Sequence, residues 1–255
     1  GLTMTNEKFN ILFGQKPRDS KKEQLTQFHM DIAASIQKIT EDIMIKLAKS
    51  LKEEFDIPNL CLAGGVALNC VANGKLLKEK IFEKIWVQPA SGDAGGSLGG
   101  ALAVWHGELN EERKINLKDS MKGSYLGPEY SHNLIKDELD KIGAIYQELN
   151  EKEILEKTAD DLSNSLAIGW FQGRMEFGPR ALGGRSIIGD PRSSTMQKNL
   201  NLKVKYRESF RPFAPSILNE DASDWFDIQS DSPYMLFVAN IKKDKTLDMT
   251  EEQKK

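Results

Sequence analysis

The residues best suited to chemistry in this sequence stand in one run, GRMEFGPRALGGRS, at positions 173–186. It holds three arginines, four glycines and a proline. The chain otherwise prefers lysine: only eight of its 35 basic residues are arginine. Six of those eight fall between positions 174 and 211, as Arg174, Arg180, Arg185, Arg192, Arg207 and Arg211. Lys198, Lys203 and Lys205 share that window, against Glu176, Asp190 and Glu208 alone as acids. A guanidinium fork matches phosphate or carboxylate oxygens two at a time, which an ammonium does not. The window therefore reads as an anion-binding wall for a phosphate-bearing small molecule. Two other readings stay open: a structural ion-pair network, and a nucleic-acid patch with Phe177, Phe210 and Phe213 as stacking rings.

Two glycine-rich turns form the second set. AGGVALN (63–69) and SGDAGGS (91–97) each follow a strand-like stretch and precede a helical one. Glycine lets backbone N–H groups approach a phosphate, and a helix N-terminus adds its positive dipole end. Neither turn is a P-loop, because the Gly-Lys-Ser/Thr ending is absent, and neither fits the dinucleotide fingerprint. Asp93 sits among the second set of glycines, placed either to hold a metal or phosphate-bound magnesium or simply to cap a helix.

Composition removes several function classes. With 39% hydrophobic and 29% charged residues the chain is globular in type. Its net charge of −3 excludes a basic field over the whole protein. Cys61 and Cys70 are too few for a disulfide framework or a zinc ligand set, and they read as buried thiols in a reducing compartment. His29, His106 and His132 lack metal-ligand spacing and read as surface or capping residues. No signal peptide and no long apolar run stands out, so a cytoplasmic location without membrane contact is expected.

The elements that must position these residues follow from periodicity. Apolar residues at helical spacing over 25–55 predict one long amphipathic helix or a pair. IPNLCLAGG and KIWVQPA read as buried strands, each followed by a glycine turn and a helix (VALNCVANGKLLKEK and LGGALAVWHG). That alternation predicts an α/β layer with parallel strands. A linker is expected over 107–127. A second α/β stretch follows, with helices at SHNLIKDELDKI and EKEILEKTADDLSNS and strands at AIYQEL and LAIGWFQ. TMQKNLNLKV reads as helix, FAPSIL and PYMLFVANI as strands, and 222–226 as a short helix.

Taken together, CLAGGVALNCVANGKLL, WVQPASGDAGGSLGGAL, YLGPEYS, GWFQGRMEFGPRALGGRSIIGDPR and KYRESFRPFAPSIL resemble the O-carbamoyltransferases of nodulation-factor, cephamycin and tobramycin biosynthesis. The resemblance covers about residues 13–218. It implies the back half of an actin/Hsp70-like (ASKHA) domain over 1–122 and a YrdC-like α/β domain over 123–255. The second domain of such enzymes condenses carbamoyl phosphate with ATP to carbamoyl-adenylate, releasing pyrophosphate. The first then transfers the carbamoyl group to a hydroxyl of a sugar or small-molecule acceptor beside an iron-type metal, with magnesium accompanying ATP.

Carried over by position, Gly64, Gly65 and Asn69 contact the nucleotide, and Asp93 is the metal ligand. Arg180, Arg185 and Lys205 act in catalysis, and Arg174, Arg207 and Arg211 bind substrate. No nucleic acid or membrane is implied as a partner. The chain departs from the family in lacking the upstream His-x-x-x-His metal pair and the final strands, and so reads as a central-to-C-terminal piece. A non-catalytic nucleotide- or anion-binding module and a tRNA threonylcarbamoylation-type enzyme are the competing expectations.

Overall fold

The computed structural model describes residues 5–19, 22–116 and 118–250. After a short helix α1 (Glu7–Phe13), the long helix α2 (Gln27–Phe55) runs unbroken. His29 accepts from the Thr26 backbone N–H at its N-terminus, closing a capping box. The helix ends where Asp56 turns left-handed, two residues before Pro58, which disfavours further α conformation.

Strand β1 (Asn59–Leu62), a 3-10 turn (Gly65–Leu68), helix α3 (Cys70–Lys78) and strand β2 (Lys84–Val87) form a parallel unit. The register pairs Asn59 with Lys84 and Leu62 with Val87. The parallel layer expected from the sequence is therefore present. The expected single helix after the first glycine turn is broken at Asn69, whose side chain caps α3 at the Ala72 N–H, 3.1 Å away.

Helix α4 (Asp93–Ala103) corrects the reading of SGDAGGS as a loop. Asp93 is the first helical residue and Gly95 lies inside the helix. The glycine is there for close approach: a Cβ at Gly95 would run into the carbonyl of Ala90. The described residues of 107–127 are irregular apart from single turns.

Helices α5 (His132–Lys141) and α6 (Glu151–Ser163) lie where their periodicity places them. Asn150 and Glu153 form a capping box on α6. AIYQEL is irregular rather than a strand, with Ile145 fully exposed and, among the described residues, no partner strand to accept its edge. Strand β3 (Ile168–Phe171) pairs antiparallel with β4 (Arg185–Ile188), which the glycines before it concealed in the sequence.

Helix α7 (Met196–Asn199) continues into one π-type turn, and α8 (Ala222–Trp225) is short. FAPSIL and PYMLFVANI are not strands: beyond one isolated bridge between Phe226 and Ile241, neither pairs along an edge.

Two apolar clusters hold the layer. On one side α2 and α3 pack Ala48, Leu60, Leu76 and Phe82 together. On the other, Ala67, Val87, Met121, Tyr234 and Leu236 meet, with Phe177 and Leu182 packed against them. Burying such a side chain contributes about 1.5–3 kcal/mol. The segment around 234–238 reaches this cluster because α3 leaves its backbone exposed to it. Val238 N–H donates to the Cys70 carbonyl at 3.0 Å, and Asn73 Nδ2 donates to the Ala67 and Leu236 carbonyls. Cys61 is exposed and Cys70 half-buried, both as free thiols, so the expected burial of both is corrected. Cys61 faces away from the cluster on a strand with one neighbour. Among the described residues no helix is long and apolar enough to cross a membrane.

Candidate functional site: an arginine loop docked on a glycine turn

The loop between β3 and β4 carries the arginine run, and the core fixes where it goes. Phe177 N–H donates to the Ser124 carbonyl at 2.6 Å, and its ring packs in the cluster around Tyr234. Phe177 is thus used as core rather than as a stacking ring. Gly178, at φ +127°, lies against Ala90 at the start of the second glycine stretch, where a Cβ would come within 3.3 Å of the Ala90 Cα. Two residues on, Arg180 Nη2 donates to the Leu68 carbonyl at 3.0 Å. The arginine loop therefore rests on both glycine-rich stretches.

The first glycine turn is shaped to receive it. Gly64, at φ +97°, donates its N–H to the Ser91 carbonyl at 2.8 Å. The space where Cβ atoms would sit on Gly64 and Gly65 is open. Asn69 is held in a reciprocal amide pair with Gln37 of α2, at 2.9 and 3.2 Å, while capping α3. Both Gln37 and the buried Glu41 belong to a wider network in which Lys75 pairs with Glu41. Lys75 and Gln37 hold the Glu41 carboxyl below the usual carboxylate range despite its burial. Asn69 thus has structural partners already, and no spacing signal in the chain points to Gln37 or Glu41.

The arginines divide into three kinds. Arg192, Arg211 and Arg174 face acids: Arg192 chelates Asp190 (2.7–3.0 Å), Arg211 Nε donates to Glu208 at 2.8 Å, and Arg174 lies 3.7 Å from Glu129. All three guanidinium groups are at least half exposed, so each pair contributes at most about 1 kcal/mol.

Arg185 and Arg207 face neutral oxygens and rings. Arg185 donates to the carbonyls of Gln172, Gly173 and Gly184 and stacks on Phe171 with its central carbon 3.3 Å from the ring centre. Those bonds leave its Nε–H and one Nη2 proton unused. Arg207 Nε donates to Asn201 at 2.6 Å and lies over Phe213. Asn201, fully buried, also donates to the Ser209 and Arg211 carbonyls and so shapes the turn that displays Lys205, Arg207 and Arg211. Lys205 is exposed at the end of the π-type turn after α7.

Arg180 is the third kind. Its Nε is buried and donates to no oxygen among the described residues. A buried guanidinium N–H without an acceptor is costly, by about 1–3 kcal/mol or more. Asp93, by contrast, is exposed at the start of α4, and among the described residues no three His, Cys, Asp or Glu side chains gather as a metal ligand set. These residues by themselves do not make a metal site.

Glu176, one of three acids in the arginine window, organises the loop. Its carboxylate is 6% exposed, and Oε1 accepts the N–H groups of Leu182 (2.7 Å), Gly184 (2.7 Å) and Arg185 (3.2 Å). Burial pushes its carboxyl up, but the N–H groups of Leu182, Arg185 and Gly184, with its own, outweigh that and hold it below the usual range. These loop amides are spent on Glu176, so side chains rather than glycine N–H groups face any anion here.

With this geometry in view, comparison with known proteins is informative. Residues 1–102 match the family model described as Carbamoyltransferase N-terminus, and residues 159–253 match Carbamoyltransferase C-terminus. An uncharacterised protein of Synechocystis sp. is 55% identical over 99% of this chain and 41% of its own length. Nodulation protein NolO of Bradyrhizobium diazoefficiens is 42% identical over 86% of this chain and 40% of its own. Nodulation protein U of Rhizobium tropici is 32% identical over 81% and 34%. The chain thus spans about two fifths or less of the length of these relatives.

Proposed function

The chain belongs to the carbamoyltransferase family, and on that premise we propose that its arginine loop binds carbamoyl phosphate and ATP for the formation of carbamoyl-adenylate. The observation that carries this reading is Arg180. Its side chain joins the loop to the turn at Leu68, and its buried Nε–H lacks an acceptor among the described residues. In balance, carbamoyl phosphate, ATP and one water give carbamoyl-adenylate, phosphate and pyrophosphate. Negative charge gathers on the departing phosphates, and a fixed guanidinium stabilises it, with one well-aimed donor worth about 2.7–4 kcal/mol. Arg185, locked by three carbonyls and Phe171, keeps two N–H groups for the same task without losing further side-chain freedom. Lys205, Arg207 and Arg211 supply a second basic turn for the triphosphate.

The carbamoyl group then passes to a hydroxyl of a sugar or small-molecule acceptor. Within this reading, residues 1–122 are the back half of an actin-like domain and 123–255 a YrdC-like one, working in the cytoplasm. Gly64 and Gly65 fit the nucleotide by their open backbone. ATP would supply the adenylyl group. An iron-type or magnesium ion at Asp93 would need ligands from beyond the described residues. That last point favours a second reading, anion binding without chemistry. Pyrophosphate release separates the two. Release that requires both carbamoyl phosphate and ATP and is lost in Arg180→Ala supports the enzyme. Binding of both ligands without any release supports the binding module.

A further inference from the structure

We infer that Glu176 is a positioning residue, whose buried carboxylate closes the loop 176–185 into a ring and so sets Arg180 and Arg185 toward the anion. The inference rests on the anion reading above for what the loop presents, but the closure itself rests on geometry alone. Glu176 is fixed from both sides. Met175 N–H donates to the Pro128 carbonyl at 3.0 Å and Met175 carbonyl accepts from Gly127 at 2.9 Å, while Phe177 is bonded to Ser124. The far end of the loop hangs on this anchor through three N–H groups that converge on one carboxylate oxygen. Gly184 is required at that point, because a Cβ there would stand 2.7 Å from the Arg174 carbonyl and 3.1 Å from Glu176 Oε2. Tyr125 reinforces the ring by donating to the Leu182 carbonyl.

Arg180 lies between the anchor and the hanging end, and Arg185 is itself one of the three donors. A carboxylate accepting several N–H groups in a buried setting makes strong, charge-assisted bonds. The same three amides would otherwise be free to turn outward, and the arginines would turn with them.

The sign of the effect separates this role from a bystander's. By Coulomb's law alone, removing an acid beside an anion site strengthens anion binding. A positioning residue does the opposite. The test uses the whole 255-residue chain as wild type, Glu176→Gln and Glu176→Ala, with two readouts: calorimetric binding of carbamoyl phosphate, and amide hydrogen exchange at Leu182, Gly184 and Arg185. The neutral isostere keeps an acceptor oxygen, so it remains informative if the alanine variant fails to fold.

Exchange at these amides is expected to quicken at least tenfold in Glu176→Ala and less in Glu176→Gln. Carbamoyl phosphate affinity is expected to fall in the same order, at least tenfold for alanine, with partial rescue by glutamine. Unchanged exchange, or affinity that rises when the charge is removed, overturns the inference. A wild type that binds no carbamoyl phosphate while its loop amides still depend on Glu176 overturns the anion reading and leaves the closure supported.

Discussion

Asn69 shows how one side chain can look like a ligand group and be something else. Its amide caps α3 and pairs with Gln37, so its hydrogen-bonding capacity is largely spent. Asn69→Ala is expected to lower stability by about 1–2 kcal/mol through the lost cap and the orphaned glutamine amide. A urea melt checks this, and a midpoint indistinguishable from wild type would remove the cap from the account. The arginine run was legible from residue type alone, because eight arginines are not spread evenly. What could not be read was which arginines are already satisfied. Arg192 and Arg211 meet acids two and three residues away, whereas Arg174 meets Glu129 and Arg180 meets a carbonyl 112 positions earlier, partners that sequence order does not announce.

At the scale of elements, periodicity located the helices α2, α5 and α6 well, because that signal is local. Strands β1 and β2 were legible as short apolar runs before glycines. The failures share a cause. AIYQEL, FAPSIL and PYMLFVANI have strand-like composition, but a strand exists only if a neighbour accepts its edge, and among the described residues only Ile241 finds one, in a single bridge to Phe226. Strand β4 was missed for the converse reason: its partner β3 supplies what RSII does not announce.

The clamp between α2 and α3 gives a pH test. Lys75 and Gln37 hold the Glu41 carboxyl below its ordinary value, so its contribution is full above the usual carboxylate range. It is lost as pH falls through that range to the lowered value. Wild type is expected to lose stability from about pH 5 downward more steeply than Glu41→Gln, so the two curves converge in acid. Parallel curves in denaturant melts across that range would contradict the clamp. The loop element has its own test in Gly184→Ala, which places a methyl against the Arg174 carbonyl and Glu176. An increase in thermal stability would show that the loop is not closed as described; the expected change is a loss of about 1–3 kcal/mol.

Across the whole molecule, the early α/β layer and the late segments are joined at two seams. One is Arg180 on Leu68, and the other is the segment around 234–238 on α3. Gly74 makes the second seam possible, since a Cβ there would collide with the Val238 carbonyl. Gly74→Ala is expected to cost about 1–3 kcal/mol and to expose Tyr234 to solvent. Quenching of tyrosine fluorescence that matches wild type would contradict that seam. No sequence signal announced either contact, because both join residues more than a hundred positions apart.

The most direct test of the central claim is calorimetric titration of the chain with carbamoyl phosphate and with ATP, in wild type and Arg180→Ala. The account expects saturable binding that weakens at least tenfold, about 1.4 kcal/mol, when Arg180, whose buried Nε–H has no acceptor among the described residues, is removed. Equal binding by both folded proteins would mean that the anion site lies elsewhere and that Arg180 serves only to fasten the loop to Leu68.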